Sequence, residues 1–134
     1  MREIEFRGKR LDNGKWHFGD LQLCCDERVQ IWLRIDEHCS GGEYPNQFVI
    51  TETVGQYTGL KDKNGLKIFE GDIVKMCNGD NLVCLWFDRF CQFILKTSPD
   101  SQVWVTGFPK STEVIGNIHD NPELLTEMEK ENGT

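Results

Sequence analysis

The stretch that decides the fold is Asp72-Ile73-Val74-Lys75-Met76-Cys77-Asn78-Gly79-Asp80-Asn81-Leu82-Val83-Cys84-Leu85-Trp86-Phe87-Asp88-Arg89-Phe90-Cys91-Gln92-Phe93-Ile94-Leu95. It holds strand-like, mainly apolar segments at 72–77, 82–87 and 90–95, parted by Asn78-Gly79-Asp80-Asn81 and by Asp88-Arg89. Asn and Gly accept positive φ at little cost, so the first separator reads as a tight turn. Runs this short, rich in β-branched and aromatic residues and bounded by turn chemistry, read as consecutive antiparallel strands. The run Leu82-Val83-Cys84-Leu85-Trp86-Phe87 is apolar throughout and predicts a strand buried on both faces. Cys77, Cys84 and Cys91 recur every seven residues, but the turns between them exclude a helical heptad.

The same grammar extends in both directions. Ile4 and Phe6 alternate with Glu3, Glu5 and Arg7, a half-buried strand. Asp12-Asn13-Gly14 is a turn, followed by a strand in which Trp16 and Phe18 alternate with Lys15 and His17, His17 facing solvent. Gly19-Asp20 breaks that strand, and Leu21-Gln22-Leu23 begins the next. Val29 to Ile35 places Val29, Ile31, Leu33 and Ile35 on one face, and 36–47 reads as an exposed loop. Phe48-Val49-Ile50 opens a short strand, with a continuation through Thr53-Val54 left open, and 55–71 is turn-rich around the strand Lys67-Ile68-Phe69. Val103-Trp104-Val105 and Glu113-Val114-Ile115 complete the strands. Short strands joined by tight turns point to a small barrel or roll. One helix is signalled: Asn121 as N-cap, Pro122 at the first position, Glu123 in the first turn, and an apolar stripe of Leu124, Leu125 and Met128 that docks on the barrel. Beyond Glu129 the tail is polar. Asn13-Gly14 with Phe18-Gly19-Asp20-Leu21 echoes Asn64-Gly65 with Phe69-Glu70-Gly71-Asp72-Ile73, and repeated use of one turn chemistry explains it better than duplication.

The chain has 134 residues, enough for one compact unit that buries about two-thirds of its surface without metals or disulfides. The 10% aromatic content argues against disorder, and no apolar run reaches the roughly 18 residues of a membrane span. The charged alternation at the start is no signal peptide. Fifteen basic and 22 acidic residues give a net charge of −7. It is unevenly spread: −3 over 1–54, zero over 55–118 and −4 over 119–134. Phosphate repulsion disfavours general nucleic-acid binding, although the neutral middle can still present a basic face. The acidity reads as solubility rather than as mimicry of DNA charge.

With no secretion signal, Cys24, Cys25, Cys39, Cys77, Cys84 and Cys91 are expected as free thiols in a reducing cytosol, acting as small core hydrophobes. No C-x-x-C spacing signals zinc, and neighbours such as Cys24-Cys25 or His38-Cys39 point to opposite faces of a strand. No P-loop, G-x-G-x-x-G, H-E-x-x-H or G-x-S-x-G occurs. A Cys–His pair built from Cys39 or Cys91 with His17, His38 or His119 is not fixed by any spacing. Asp62, Asn64 and Asp72 lack calcium-loop spacing and read as turn caps. Trp16, Trp32, Trp86 and Trp104 all fall on strands; core or subunit interface is the plainer reading, a stacking platform for bases or peptides the sharper one. No catalytic residue, metal ligand or cofactor-binding residue is assigned.

Three stretches together resemble the YopX family of phage and prophage proteins. They are Arg2-Glu3-Ile4-Glu5-Phe6-Arg7-Gly8-Lys9-Arg10 with Asp12-Asn13-Gly14-Lys15-Trp16 and Gly19-Asp20-Leu21; Val54-Gly55-Gln56-Tyr57-Thr58-Gly59-Leu60-Lys61-Asp62-Lys63-Asn64-Gly65 with Ile68-Phe69-Glu70-Gly71-Asp72-Ile73-Val74; and Glu113-Val114-Ile115-Gly116-Asn117-Ile118-His119-Asp120-Asn121-Pro122-Glu123-Leu124-Leu125. The segments 22–53 and 76–112 look like the family's variable parts and carry all six cysteines. The resemblance implies an SH3-like barrel in the second half, a phage or prophage origin and the bacterial cytoplasm. It carries no catalytic or binding residue across, because the family has no established biochemical activity. The expectation is therefore a mainly β chain: a β region over 1–53, an SH3-like barrel region over 54–120, and a short helix and tail over 121–134. Its expected role is that of a non-enzymatic accessory or interaction module without cofactor. It acts through unknown protein partners and possible homo-oligomers, and nucleic-acid binding by the small barrel is the alternative.

Overall fold

The computed structural model describes residues 2–33, 46–101 and 104–125. The strands are β1 (Phe6–Lys9), β2 (Trp16–Leu23), β3 (Val29–Trp32), β4 (Asn46–Val49), β5 (Gly55–Lys61), β6 (Lys67–Phe69), β7 (Asp72–Lys75), β8 (Asn81–Phe87), β9 (Gln92–Lys96), β10 (Trp104–Thr106) and β11 (Glu113–Asn117). A 3-10 turn covers Thr51–Thr53, and residues 123–125 are helical. The chain is mainly β and forms two compact units, Met1–Tyr57 and Thr58–Thr134.

In the first unit the antiparallel order is β4-β3-β2-β1, with the start of β5 on β1. β4 also meets the residue after β1: Arg10 and Val49 form an isolated bridge, Ile50 N–H donates to Lys9 O at 2.8 Å, and Leu11 N–H donates to Phe48 O at 3.0 Å. Val29, Ile31 and Val49 are the buried core, flanked by Phe6, Leu21 and Val54. Leu33, expected on the same face, is exposed, and Ile35 lies outside the described residues together with the loop positions 36–45.

β2 departs from its sequence reading in two ways. It runs unbroken through Gly19-Asp20, and its faces are the reverse of those expected. Registers Gly8↔His17 and Phe6↔Gly19 put half-buried His17 on the core side, while Arg7↔Phe18 and Lys9↔Trp16 turn Trp16 and Phe18 outward. The cause is space. A Cβ on Gly8 would sit 3.0 Å from Val49 Cβ, and one on Gly19 would lie 1.8 Å from Trp32 O. The inner face admits glycine there and no indole. Ile4 is accordingly exposed, and β1 starts only at Phe6. Thr51–Thr53 is a 3-10 turn where a strand was expected, held by Thr53 Oγ1, which donates to Ile50 O at 2.6 Å and accepts from Lys9 N–H at 2.9 Å.

β5 replaces much of the turn-rich reading of 55–71. Gly55 and Gly59 disguise it, yet Gly55 and Tyr57 alternate inward and Tyr57 N–H donates to Glu5 O at 2.8 Å. In the second unit the end of β5 pairs with β6 across a turn closed by Asp62 N–H to Leu66 O at 2.8 Å. The second sheet is β10-β9-β8-β7-β11, all antiparallel, with a register shift between Val114 and Gly116. β10 and β11 end the sheet with no ladder between them among the described residues, so it is barrel-like in its short strands but not closed.

One core cluster holds Ile68, Val74, Leu82, Cys84 and Leu95, with Met76, Phe93, Phe108 and Val114 against it. A second gathers Ile73, Val83 and Leu125, with Leu85, Ile115, Ile118 and Leu124. β8 is thus buried on both faces over Leu82–Cys84 as its apolar run foretold, but its end emerges: Leu85 is half-buried and Trp86 is exposed. Leu124 and Leu125 dock as their stripe requires, while Met128 and the tail lie outside the described residues. The Asn121 carbonyl accepts from Leu124 N–H at 3.1 Å; its side chain turns back to accept from Asn117 N–H at 3.4 Å rather than capping forward.

Candidate functional site

β9 sets the candidate site. Register Phe87↔Gln92 on one side and Trp104↔Lys96 on the other places Phe87, Gln92, Ile94, Lys96, Trp104 and Thr106 on one face of the sheet. The β8–β9 turn adds Phe90: Phe90 N–H donates to Phe87 O and Cys91 N–H to Asp88 O, both at 3.3 Å, and Cys91 takes φ 50°. The turn folds Phe90 back onto the strand end it has just left.

Three rings meet there. Centroids lie 5.1 Å apart for Phe87–Phe90, 5.3 Å for Phe87–Trp104 and 5.4 Å for Phe90–Trp104, at interplanar angles of 71°, 38° and 63°. Tilted and edge-to-face contacts suit the ring quadrupoles. The cluster is nonetheless open to solvent, Phe90 at 47% and Trp104 at 37% exposed. Lys96 Nζ stands 5.8 Å from the Phe87 centroid and Arg89 Cζ 5.8 Å from that of Phe90. Neither cation has a carboxylate partner among the described residues. The arrangement offers an apolar platform with two positive charges at its rim, next to a strand that ends its sheet.

A second aromatic surface lies on the outer face of the first unit. Trp16, Phe18, Trp32 and Phe48 share it with Arg7, Lys9 and Gln30. Its rings already carry contacts: Arg7 Cζ is 4.6 Å and Lys9 Nζ 5.6 Å from the Trp16 centroid, and Arg28 Cζ is 4.2 Å from that of Phe48. Trp32 Nε1–H donates to Gln22 Oε1 at 2.5 Å, and Arg28 is held by Asp26 at 2.7 Å. This face is largely satisfied within itself.

Other sequence candidates disperse. Trp16 is half-buried, and Trp32, Trp86 and Trp104 are exposed, so none of the four sits in the buried core. Trp86 packs on Phe93 at 5.1 Å on the opposite face of β8 from Phe87. Among the described residues only Cys84 is a core thiol: Cys24 is half-buried, and Cys25, Cys77 and Cys91 are exposed, all free. Cys39 and His38 lie outside the described residues. Among the described residues no cluster of three or more His, Cys, Asp or Glu gathers to hold a metal.

Asp62 and Asp72 do act as caps. Asp72 Oδ2 accepts from Phe69 N–H at 2.7 Å. Asp62 is buried, and burial pushes its carboxyl up, but N–H donations from Val114, Leu66 and Asn64 with the Lys63 charge nearby outweigh it and hold the pKa below 3.8. Phe87 and Phe90 were not singled out from sequence. The signal was present in Phe87-Asp88-Arg89-Phe90, two aromatics bracketing a tight turn, with Trp104 the missing third.

Fold and surface together define a small, mainly β protein with an exposed aromatic surface at a sheet end. The family described as YopX protein matches residues 5–126, and the chain belongs to that family. The crystal structure of protein EF1440 from Enterococcus faecalis is similar at a TM-score of 0.56 and 23% identity, over 93% of this chain and 99% of that one, a likeness of fold. No curated protein matches the chain. No helix among the described residues is long and apolar enough to cross a membrane.

Proposed function

We propose that this chain is a non-enzymatic accessory module, derived from a phage or prophage and working in the bacterial cytoplasm, that holds a protein partner on the Phe87, Phe90 and Trp104 surface. The observation that carries the reading is a cluster of three mutually packed rings beside the end strand β10, with Phe90 and Trp104 exposed and Phe87 half-buried beneath them. Large aromatics left in solvent on an ordered sheet cost solubility without adding to the core, and clustered aromatics are what protein interfaces bury at their centre. A second copy of the chain is one such partner, since an end strand pairs with any compatible strand.

The test is a photo-crosslinking phenylalanine analogue at Phe90 in the tagged chain, irradiated in bacterial host lysate with and without nuclease. A stoichiometric protein adduct that survives nuclease supports the reading. Adducts that vanish with nuclease would make nucleic acid the ligand. Light scattering on the purified chain reads self-association: a strict monomer at high concentration removes that part.

A further inference from the structure

Resting on that reading of the same surface, we infer the chemistry of the partner: an extended acidic protein segment that pairs along β10, sets an apolar side chain on the aromatic rings, and brings a carboxylate to Lys96 and Arg89.

The strand argues for an extended segment. β10 ends its sheet and pairs with β9 alone among the described residues. All of its residues, Trp104, Val105 and Thr106, are exposed. Edges that must stay unpaired are very short or carry charge, proline or a bulge. Trp104-Val105-Thr106 is short, but it carries no charge, proline or bulge, and its register with β9 is regular. An added strand would find backbone groups spaced for a ladder, with alternate side chains falling on the face of Trp104 and Thr106.

Charge selects the acid. The chain carries −7 overall, yet Lys96 and Arg89 stand over rings of the cluster with no carboxylate beside them among the described residues. An added strand would lie two strand spacings from β9, about 10 Å. A Lys side chain and a Glu side chain reaching across Trp104 together close that gap. A basic segment would meet two like charges there. A nucleic acid would find stacking rings but only two cations against an acidic whole, and it makes no use of a strand edge.

The experiment is a selection from a random peptide library of about twelve residues, roughly two strand lengths, on the immobilised full chain. The best sequence is labelled and titrated against the wild-type, Trp104→Ala and Lys96→Glu chains, each checked for its β circular dichroism. The expected result is enrichment of acidic sequences rich in β-branched residues. Either substitution should weaken binding about tenfold or more, a proline placed mid-peptide should abolish it, and amides 104–106 should gain hydrogen-exchange protection. Lys96→Glu keeps the test sharp if Trp104→Ala fails to fold. Peptides that are neutral or basic, or that bind the Lys96→Glu chain equally, overturn the acidic class; if they still depend on Trp104, the docking reading stands. If no selected peptide depends on Trp104, both fall. A thymidine oligonucleotide that binds the wild-type chain and loses binding with Trp104→Ala also overturns the inference.

Discussion

Asp62 Oδ1 accepts from Asn64 N–H at 2.8 Å and from Leu66 N–H at 2.9 Å, while Oδ2 accepts from Val114 N–H at 3.0 Å. One buried carboxylate thus closes the β5–β6 turn and ties it to β11. Asp62→Asn replaces one acceptor oxygen by a donor facing an N–H. Hydrogen bonds to charged groups contribute about 1.5–3 kcal/mol, so a loss of about 2–4 kcal/mol is expected, read as a lower urea midpoint at unchanged slope. The pH dependence follows. The folded pKa lies below the ordinary 3.8, so the unfolded chain binds the proton more tightly. The Asp62 contribution is complete above the unfolded pKa and is lost as pH falls through the folded one. Urea midpoints taken from pH 6 down to about pH 2 should fall more steeply below about pH 4 in the wild-type chain than in Asp62→Asn; parallel curves would refute the assignment. The sequence read Asp62 as a turn cap, and its local bonds are that. The bond to Val114, 52 residues away, has no local signal.

At the scale of the element, alternation in β2 announced a strand but not its orientation. Trp16 and Phe18 looked like the inward set because they are the large apolar residues. The inner face instead takes Gly8, His17, Gly19 and Leu21 against Val29, Ile31 and Val49, and a period of two cannot distinguish the faces when both carry rings. Gly19 is where tertiary structure overrules the local reading. It sits at φ 154°, and its missing Cβ leaves room for the Trp32 carbonyl. A sequence shows a Gly-Asp turn; the fold uses a close approach of β2 to the end of β3. Gly19→Ala would place a methyl 1.8 Å from backbone oxygen, a collision no rotamer relieves. A loss of about 3 kcal/mol or more is expected, with the first unit failing to protect its amides in hydrogen exchange. Gly14→Ala is the control: it shares positive φ at 70° but has nothing within 4 Å, so its cost should stay near 1 kcal/mol. Equal costs would mean that φ, not the approach to Trp32, requires glycine at 19.

At the scale of the whole molecule, the β class, the hairpins around 72–95, the docked Leu124 and Leu125, and the family were legible. Turn chemistry and short apolar runs are local, and they carry that much. The aromatic surface was not, because it is assembled by strand order: Phe87 and Trp104 are separated in sequence and joined only by their registers with β9. Composition bears instead on what the surface can hold. A stacking platform binds single strands when a basic groove tracks the phosphates, and each neutralised phosphate adds to a salt slope. Here two rim cations stand on a chain of −7 with pI ≈ 4.9. Stacking alone must then work against long-range repulsion, which grows as salt is lowered. The expected outcome is no detectable shift of a thymidine oligonucleotide of about 15 nucleotides at about 50 mM salt, measured by fluorescence anisotropy, with none emerging on further dilution of salt. Binding that strengthens steeply as salt falls would show that local charge at Lys96 and Arg89 outweighs the net charge, and the small-barrel nucleic-acid reading would replace the protein-docking one.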